Sequence, residues 1–286
     1  INATANAELG FLGLTAEHEV KFSGHFAYDD RARTLNLRKA AINLPYGTAA
    51  GDIACKEQGF PAEAWNGAIV LNLPSVRNWL EYMGFDRGAF PEQGLNKGVF
   101  TFKFEQGGQK WAIKDVDIFL DEKTKGRLNL SQAGDKSYAF SLNLDAINMD
   151  DYYPSRKTSS ALPSPKPWDL SGLMKMRAKG DIAIKDLTWR KLHYTDVAAQ
   201  LTLENAKLHI PASAAFYGGR TTSELKATLE PGRLNAQFSL DFKGAQLGGV
   251  THDLYTDERA SGLMNISLLG SGAPSRRVTS SASITP

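Results

Sequence analysis

The sequence has a single cysteine, Cys55, which excludes intramolecular disulfides and cysteine-rich metal sites and leaves the compartment open. No uninterrupted apolar run approaches the ~18–20 residues that a membrane-crossing helix needs, and no signal peptide opens the chain. An excess of one charge is missing too. The 33 Lys and Arg stand against 31 Asp and Glu, a formal net charge of +2. No basic run is longer than Ser275-Arg-Arg-Val278, and no stretch interleaves aromatics with clustered Lys or Arg. Nucleic acid is therefore not an expected partner.

The residues that carry chemistry are present but do not assemble. His18, His25, His193, His209 and His252 lie in unrelated segments without ligand spacing and read as surface or strand-face histidines. Asp29-Asp30 and Asp150-Asp151 are adjacent pairs. Neighbours on a strand point to opposite faces, so these carboxylates cannot easily share a substrate and read as turn or strand-end residues. Gly270-Ser-Gly-Ala-Pro-Ser275 is glycine-rich like a dinucleotide loop, but Pro274 obstructs the helix that should follow. No Gly-x-Ser-x-Gly elbow occurs, and the sequons at Asn2, Asn129 and Asn265 carry little weight. The expectation is a protein that is not an enzyme and uses no metal or cofactor.

What the chain does have is a period of two. Thr221–Leu229 places Ser223, Leu225, Ala227 and Leu229 on one face and Thr222, Glu224, Lys226 and Thr228 on the other. After Glu230-Pro-Gly-Arg233, residues 234–242 repeat it, with Leu234, Ala236, Phe238, Leu240 and Phe242 against Asn235, Gln237, Ser239 and Asp241. Such alternation is that of a β-strand with one apolar and one wet side. It recurs at Val20/Phe22, Phe26/Tyr28, Leu35/Leu37, Ile69/Leu71/Leu73, Phe100/Phe102/Phe104, Val116/Ile118/Leu120, Leu128/Leu130 and Tyr138/Phe140/Leu142/Leu144. It continues at Ile182/Ile184, Leu201/Leu203, Leu208/Ile210 and Met264/Ile266/Leu268. Turn residues such as Tyr28-Asp-Asp, Gln106-Gly-Gly and Gln132-Ala-Gly-Asp135 separate many of them, which predicts an antiparallel meander and not βαβ units.

Helix signals are few. Ser75–Met83 sets Val76, Trp79, Leu80 and Met83 at helical spacing between Pro74 and Gly84, a shorter helix is predicted from Asp169, and a third over Gly248–Tyr255. The Pro/Ser/Lys-rich segment 154–168 reads as an exposed linker. It divides the chain into a first β-rich portion, 1–153, and a second, 169–286, with a sheet that can run through both. Ile1 opens in alternating text and Pro286 closes abruptly, so a soluble piece of something longer is expected.

Three stretches, in order, carry a resemblance. They are Val116–Leu128 with Tyr138–Pro154; Pro167-Trp-Asp-Leu-Ser-Gly-Leu173 leading into Gly180-Asp-Ile-Ala-Ile-Lys-Asp-Leu187; and Ala215-Phe-Tyr-Gly-Gly-Arg220 with Gln246-Leu-Gly-Gly249 and Ser261–Ile266. Together they resemble the C-terminal periplasmic region of the AsmA family of Gram-negative envelope proteins, over roughly residues 70–286. The resemblance implies a mainly β fold, a large antiparallel sheet curled into an apolar groove with a few short amphipathic helices. It also implies a periplasmic location, an inner-membrane anchor absent from this chain, and similarity to bridge-like lipid carriers. The partners it implies are phospholipid or another acyl-chain ligand, the inner membrane, and outer-membrane or periplasmic proteins. Leu225, Ala227, Leu229, Leu234, Ala236, Phe238, Leu240 and Phe242 are the expected groove lining. The residues alone leave a second reading open, a sheet closed on another sheet, dry, acting as a scaffold or adaptor through its surface; what the resemblance implies for such a scaffold is a role in outer-membrane protein assembly.

Overall fold

The computed structural model describes residues 2–8, 17–44, 46–56, 64–82, 94–135, 137–152, 171–230, 233–256, 260–272 and 279–285. They fall into two compact units, Ile1–Gly134 with Asp151–Ser155, and Asp135–Asp150 with Arg156–Pro286. The sequence places its division at the linker 154–168, which lies wholly outside the described residues.

The first unit is a sheet of eight strands: β1 Asn2–Glu8, β2 Glu17–Asp29, β3 Thr34–Leu44, β4 Gly47–Lys56, β5 Ala64–Leu73, β6 Gly98–Gly107, β7 Lys110–Leu120 and β8 Thr124–Ala133. Each pairs antiparallel with the next. The second unit holds β9 Ser137–Asn148, β10 Arg177–Trp189, β11 Leu192–Glu204, β12 Lys207–Phe216, β13 Gly219–Glu230, β14 Arg233–Gln246, β15 Leu263–Gly272 and β16 Thr279–Thr285. Its strands also follow chain order. The chain is thus mainly β, as expected. One junction departs from the expected meander: β9 and β10 are parallel, Tyr138 opposite Ala178 and Leu144 opposite Ile184. A parallel pair needs a connection long enough to return to the starting end. Residues 149–176 supply it.

The sheets are curled and unclosed. Six junctions shift register, and an extra residue in one strand bends it and raises its twist. Three of the shifts share one construction. Lys39, Asp115 and Gly244 take left-handed backbone in mid-strand, with φ of 51°, 51° and 68°. The N–H of each donates to a side chain on the following strand: Asp52 Oδ1 at 2.8 Å, Asn129 Oδ1 at 2.9 Å and Asn265 Oδ1 at 2.9 Å. A donor that leaves the ladder at the bulge is thereby satisfied. The side chain that follows turns inward: Ala40, Val116 and Ala245 are all buried.

Among the described residues three short α-helices accompany the sheets: α1 Val76–Tyr82, α2 Ser171–Met174 and α3 Leu247–Tyr255. They match the three predicted helices, with Met83 and Asp169 outside the described residues. Ser75 Oγ accepts the Asn78 N–H at 3.2 Å and starts α1. The carboxylate of Asp121 accepts three backbone N–H groups, from Leu95, Asn96 and Lys97 at 2.7–3.0 Å, and so fixes the loop against which α1 packs. The paired aspartates act as turn residues, as expected. Asp29 Oδ1 accepts from Arg31 and Ala32, and Asp150 clamps the Arg190 and Lys191 N–H groups at 2.6 and 2.8 Å.

Candidate functional site

Cross-strand partners share a face, so the register of the second unit can be read row by row. One row runs Tyr138–Ala178–Leu203–Leu208–Ala227–Ala236–Gly272 over seven strands. The next joins Phe140 to Gly180 and Leu201, and Ile210 to Leu225, Phe238 and Gly270. A third runs Leu142–Ile182–Ala199–Ala212–Ser223–Leu240–Leu268. None of these rows contains Lys, Arg, Asp, Glu or His. The charges stand on the other face. There Glu224 pairs with Lys226 at 2.7 Å and with His209 at 2.8 Å, and these hydrogen bonds, Lys226 first, hold its carboxyl below the usual range.

All eight residues chosen from the sequence fall on the apolar face. Leu225 opposes Phe238, Ala227 opposes Ala236 and Leu229 opposes Leu234, while Leu240 and Phe242 oppose Ser223 and Thr221. Their burial is uneven. Ala227 and Leu229 are buried at 6 % exposure, whereas Phe238 in the middle row is 40 % exposed.

The cause is that helices cover the two ends of the strands and leave the middle. At one end Met174 of α2 and Met176 pack with Tyr138, Ala178, Leu203, Leu208, Leu229 and Leu234. At the other, Val250 and Leu254 of α3 pack with Phe216, Ala245, Phe242 and Met264. The floor between these walls has no apolar layer over it among the described residues. The first unit repeats the arrangement with rows such as Leu37–Ile53–Gly67–Phe104–Ile113–Leu130 and Ile42–Ala49–Leu71–Phe100–Ile118–Gly126. Its wall is α1, where Val76, Trp79 and Leu80 meet Leu73, Leu95, Leu120 and Tyr152. Its outer face carries ion pairs: Lys103–Asp115, Lys114–Glu105 and Arg127–Asp117.

Tyr217 is the residue that sequence reading undervalued. The Tyr217-Gly218-Gly219 stretch is a turn: φ is 44° at Tyr217 and 79° at Gly218, the two left-handed residues a tight hairpin requires. Its side chain does more. The hydroxyl donates to Asp253 of α3 and accepts the His193 N–H at 3.1 Å, and the ring lies against Gly249, where a Cβ would come within 2.6 Å of it. One tyrosine therefore fixes α3 to the sheet.

Burial, and then the bond to Asp253, push the Tyr217 hydroxyl from its ordinary value of 10.0 up to about 12. The folded state thus prefers neutral tyrosine. The stabilisation is whole below pH ~10 and is lost as pH rises through about 12. In urea unfolding, the advantage of the native protein over Tyr217→Phe should stay constant below that window and shrink across it. An advantage unchanged at high pH would show that Tyr217 does not hold α3 through this bond.

Among the described residues no group of three or more His, Cys, Asp or Glu is arranged to hold a metal ion, and no helix is long and apolar enough to cross a membrane. The chain matches no family model, no curated protein and no solved structure.

Proposed function

We propose that the chain is the periplasmic part of an inner-membrane-anchored, AsmA-like protein. Its apolar sheet faces hold lipid acyl chains, in support of phospholipid transport to the outer membrane or of outer-membrane assembly. The observation that carries this reading is the middle of the second unit's sheet, where continuous apolar rows lie between two helical walls with Phe238 left 40 % exposed. A methylene chain laid along such rows gains roughly 0.8 kcal/mol for each group removed from water. The rows offer no charge to grip a headgroup, so a chain bound there can slide. The location, the anchor and the direction of transport rest on the sequence resemblance alone.

Parity supplies the test. A photo-crosslinking amino acid at Leu225, on the apolar face, should capture phospholipid in Gram-negative cells. The same group at Lys226, on the charged face, should not. Capture of a protein of constant mass at Leu225, with no lipid, would favour the closed scaffold, and equal lipid capture at both positions would remove the groove.

A further inference from the structure

Apart from Phe216 and Gly219 at a hairpin end, three phenylalanines on the apolar face have a glycine as their direct cross-strand partner among the described residues: Phe104 opposite Gly67, Phe140 opposite Gly180 and Phe238 opposite Gly270. The rings lie over the glycines. A Cβ built on Gly180 would fall 2.1 Å from the Phe140 ring and one on Gly270 2.0 Å from the Phe238 ring, while on Gly67 it would meet the Asp52 carbonyl oxygen at 2.5 Å as well as Phe104 Cε1 at 2.7 Å. No left-handed backbone demands glycine here, since the positive-φ glycines are Gly108, Gly218, Gly244 and Gly262. A glycine within a strand costs roughly 0.5–1 kcal/mol, so what Gly180 and Gly270 make room for is the ring, and what Gly67 makes room for is the ring together with the neighbouring backbone. The result is a phenyl group lying down across the neighbouring strand where it would otherwise stand off the sheet. Two layers that pack together need side chains that stand up and interdigitate. A chain that slides needs a floor without knobs.

We infer that these phenylalanine–glycine pairs set the clearance of the trough, and that they suit a fluid acyl chain crossing the strands, not a second protein layer. The inference rests on the acyl-chain reading above and adds which residues keep the path open. Gly270→Val leaves charge, register and face polarity unchanged but tips the Phe238 ring up into the trough.

The test uses the full chain with a crosslinker at Leu225 and vesicles of palmitoyl-oleoyl phosphatidylglycerol. Gly270→Val should lower lipid capture by roughly fivefold or more, the scale of an over-packed contact. Phe238→Ala combined with Gly270→Val removes the ring and should restore capture. If the native floor captures lipid and Gly270→Val captures as much, the clearance role is wrong while the acyl-chain reading stands. If the double variant is as poor as Gly270→Val, the ring is not the obstacle and the inference fails. If the native floor captures none, both fall together.

Discussion

Phe216→Ala should destabilise the second unit by about 3–5 kcal/mol, the range for emptying a buried aromatic site, and should loosen α3 from the sheet. Phe216 is 2 % exposed and sits where β12 ends. Its ring lies 4.8 Å from those of Tyr194 and Phe242 and meets Tyr217 edge-on at 4.6 Å. Ala245 and Val250, at 0 % and 8 % exposure, complete the cluster. Small side chains cannot collapse into the space that a phenyl leaves, so the void persists. A loss of this size is a large share of the ~5–15 kcal/mol that keeps a domain folded. Urea unfolding followed by near-ultraviolet circular dichroism measures it. Phe238→Ala is the internal comparison, since Phe238 is 40 % exposed and has no covering layer among the described residues. If the two variants cost the same, the helical wall is not the packed end of the sheet.

The contrast between these two phenylalanines marks how far the sequence could be read. Alternation places Phe238 and Phe242 on one face with Leu225 and Leu229, and the register agrees. It cannot say that the Phe242 end is roofed by α3 while Phe238 lies open, because the same alternation serves a closed sandwich and an open trough.

Strands lined with small residues escaped notice. β4 turns Ala49, Gly51, Ile53 and Cys55 to the apolar side, too little hydrophobic contrast to stand out. The bulges hid other halves of strands. Between Ile113 and Val116 the parity slips at Lys114-Asp115, so Trp111 and Ile113 drop out of the pattern that Val116, Ile118 and Leu120 continue. Asn129 and Asn265, weighed only as sequons, turn out to be the acceptors that hold two of these bulges.

The tight turns were obscure for a related reason. Arg190-Lys191 and Asn205-Ala206 adopt left-handed backbone at both positions without a glycine. In the first, the compensation comes from Asp150, 40 residues away in sequence, and no local pattern announces it. The parallel pairing of β9 with β10 was equally hidden, because its strands read like any others and only the long connection distinguishes it.

Phe238→Asp should leave the fold standing and abolish lipid capture at Leu225. The residue occupies the uncovered middle row, with Leu225 on one side and Gly270 on the other. At 40 % exposure a shorter, charged side chain there reaches water. The stability cost should therefore be about 1 kcal/mol, typical of a substitution that buries nothing unpaired. For an acyl chain the effect is much larger, since a hydrated carboxylate stands in the path that the Phe238 ring had kept apolar. Leu229→Asp is the control on the same face. Leu229 is 6 % exposed within the cluster that includes Met174 and Met176, so its carboxylate would be buried without a partner and should unfold the unit. Circular dichroism melts of the two variants, beside crosslinking at Leu225, separate the alternatives. A folded Phe238→Asp protein that no longer captures lipid is the result an open trough requires. If Phe238→Asp unfolds as Leu229→Asp does, the middle rows are covered in solution, and the sheet is the dry core of a scaffold.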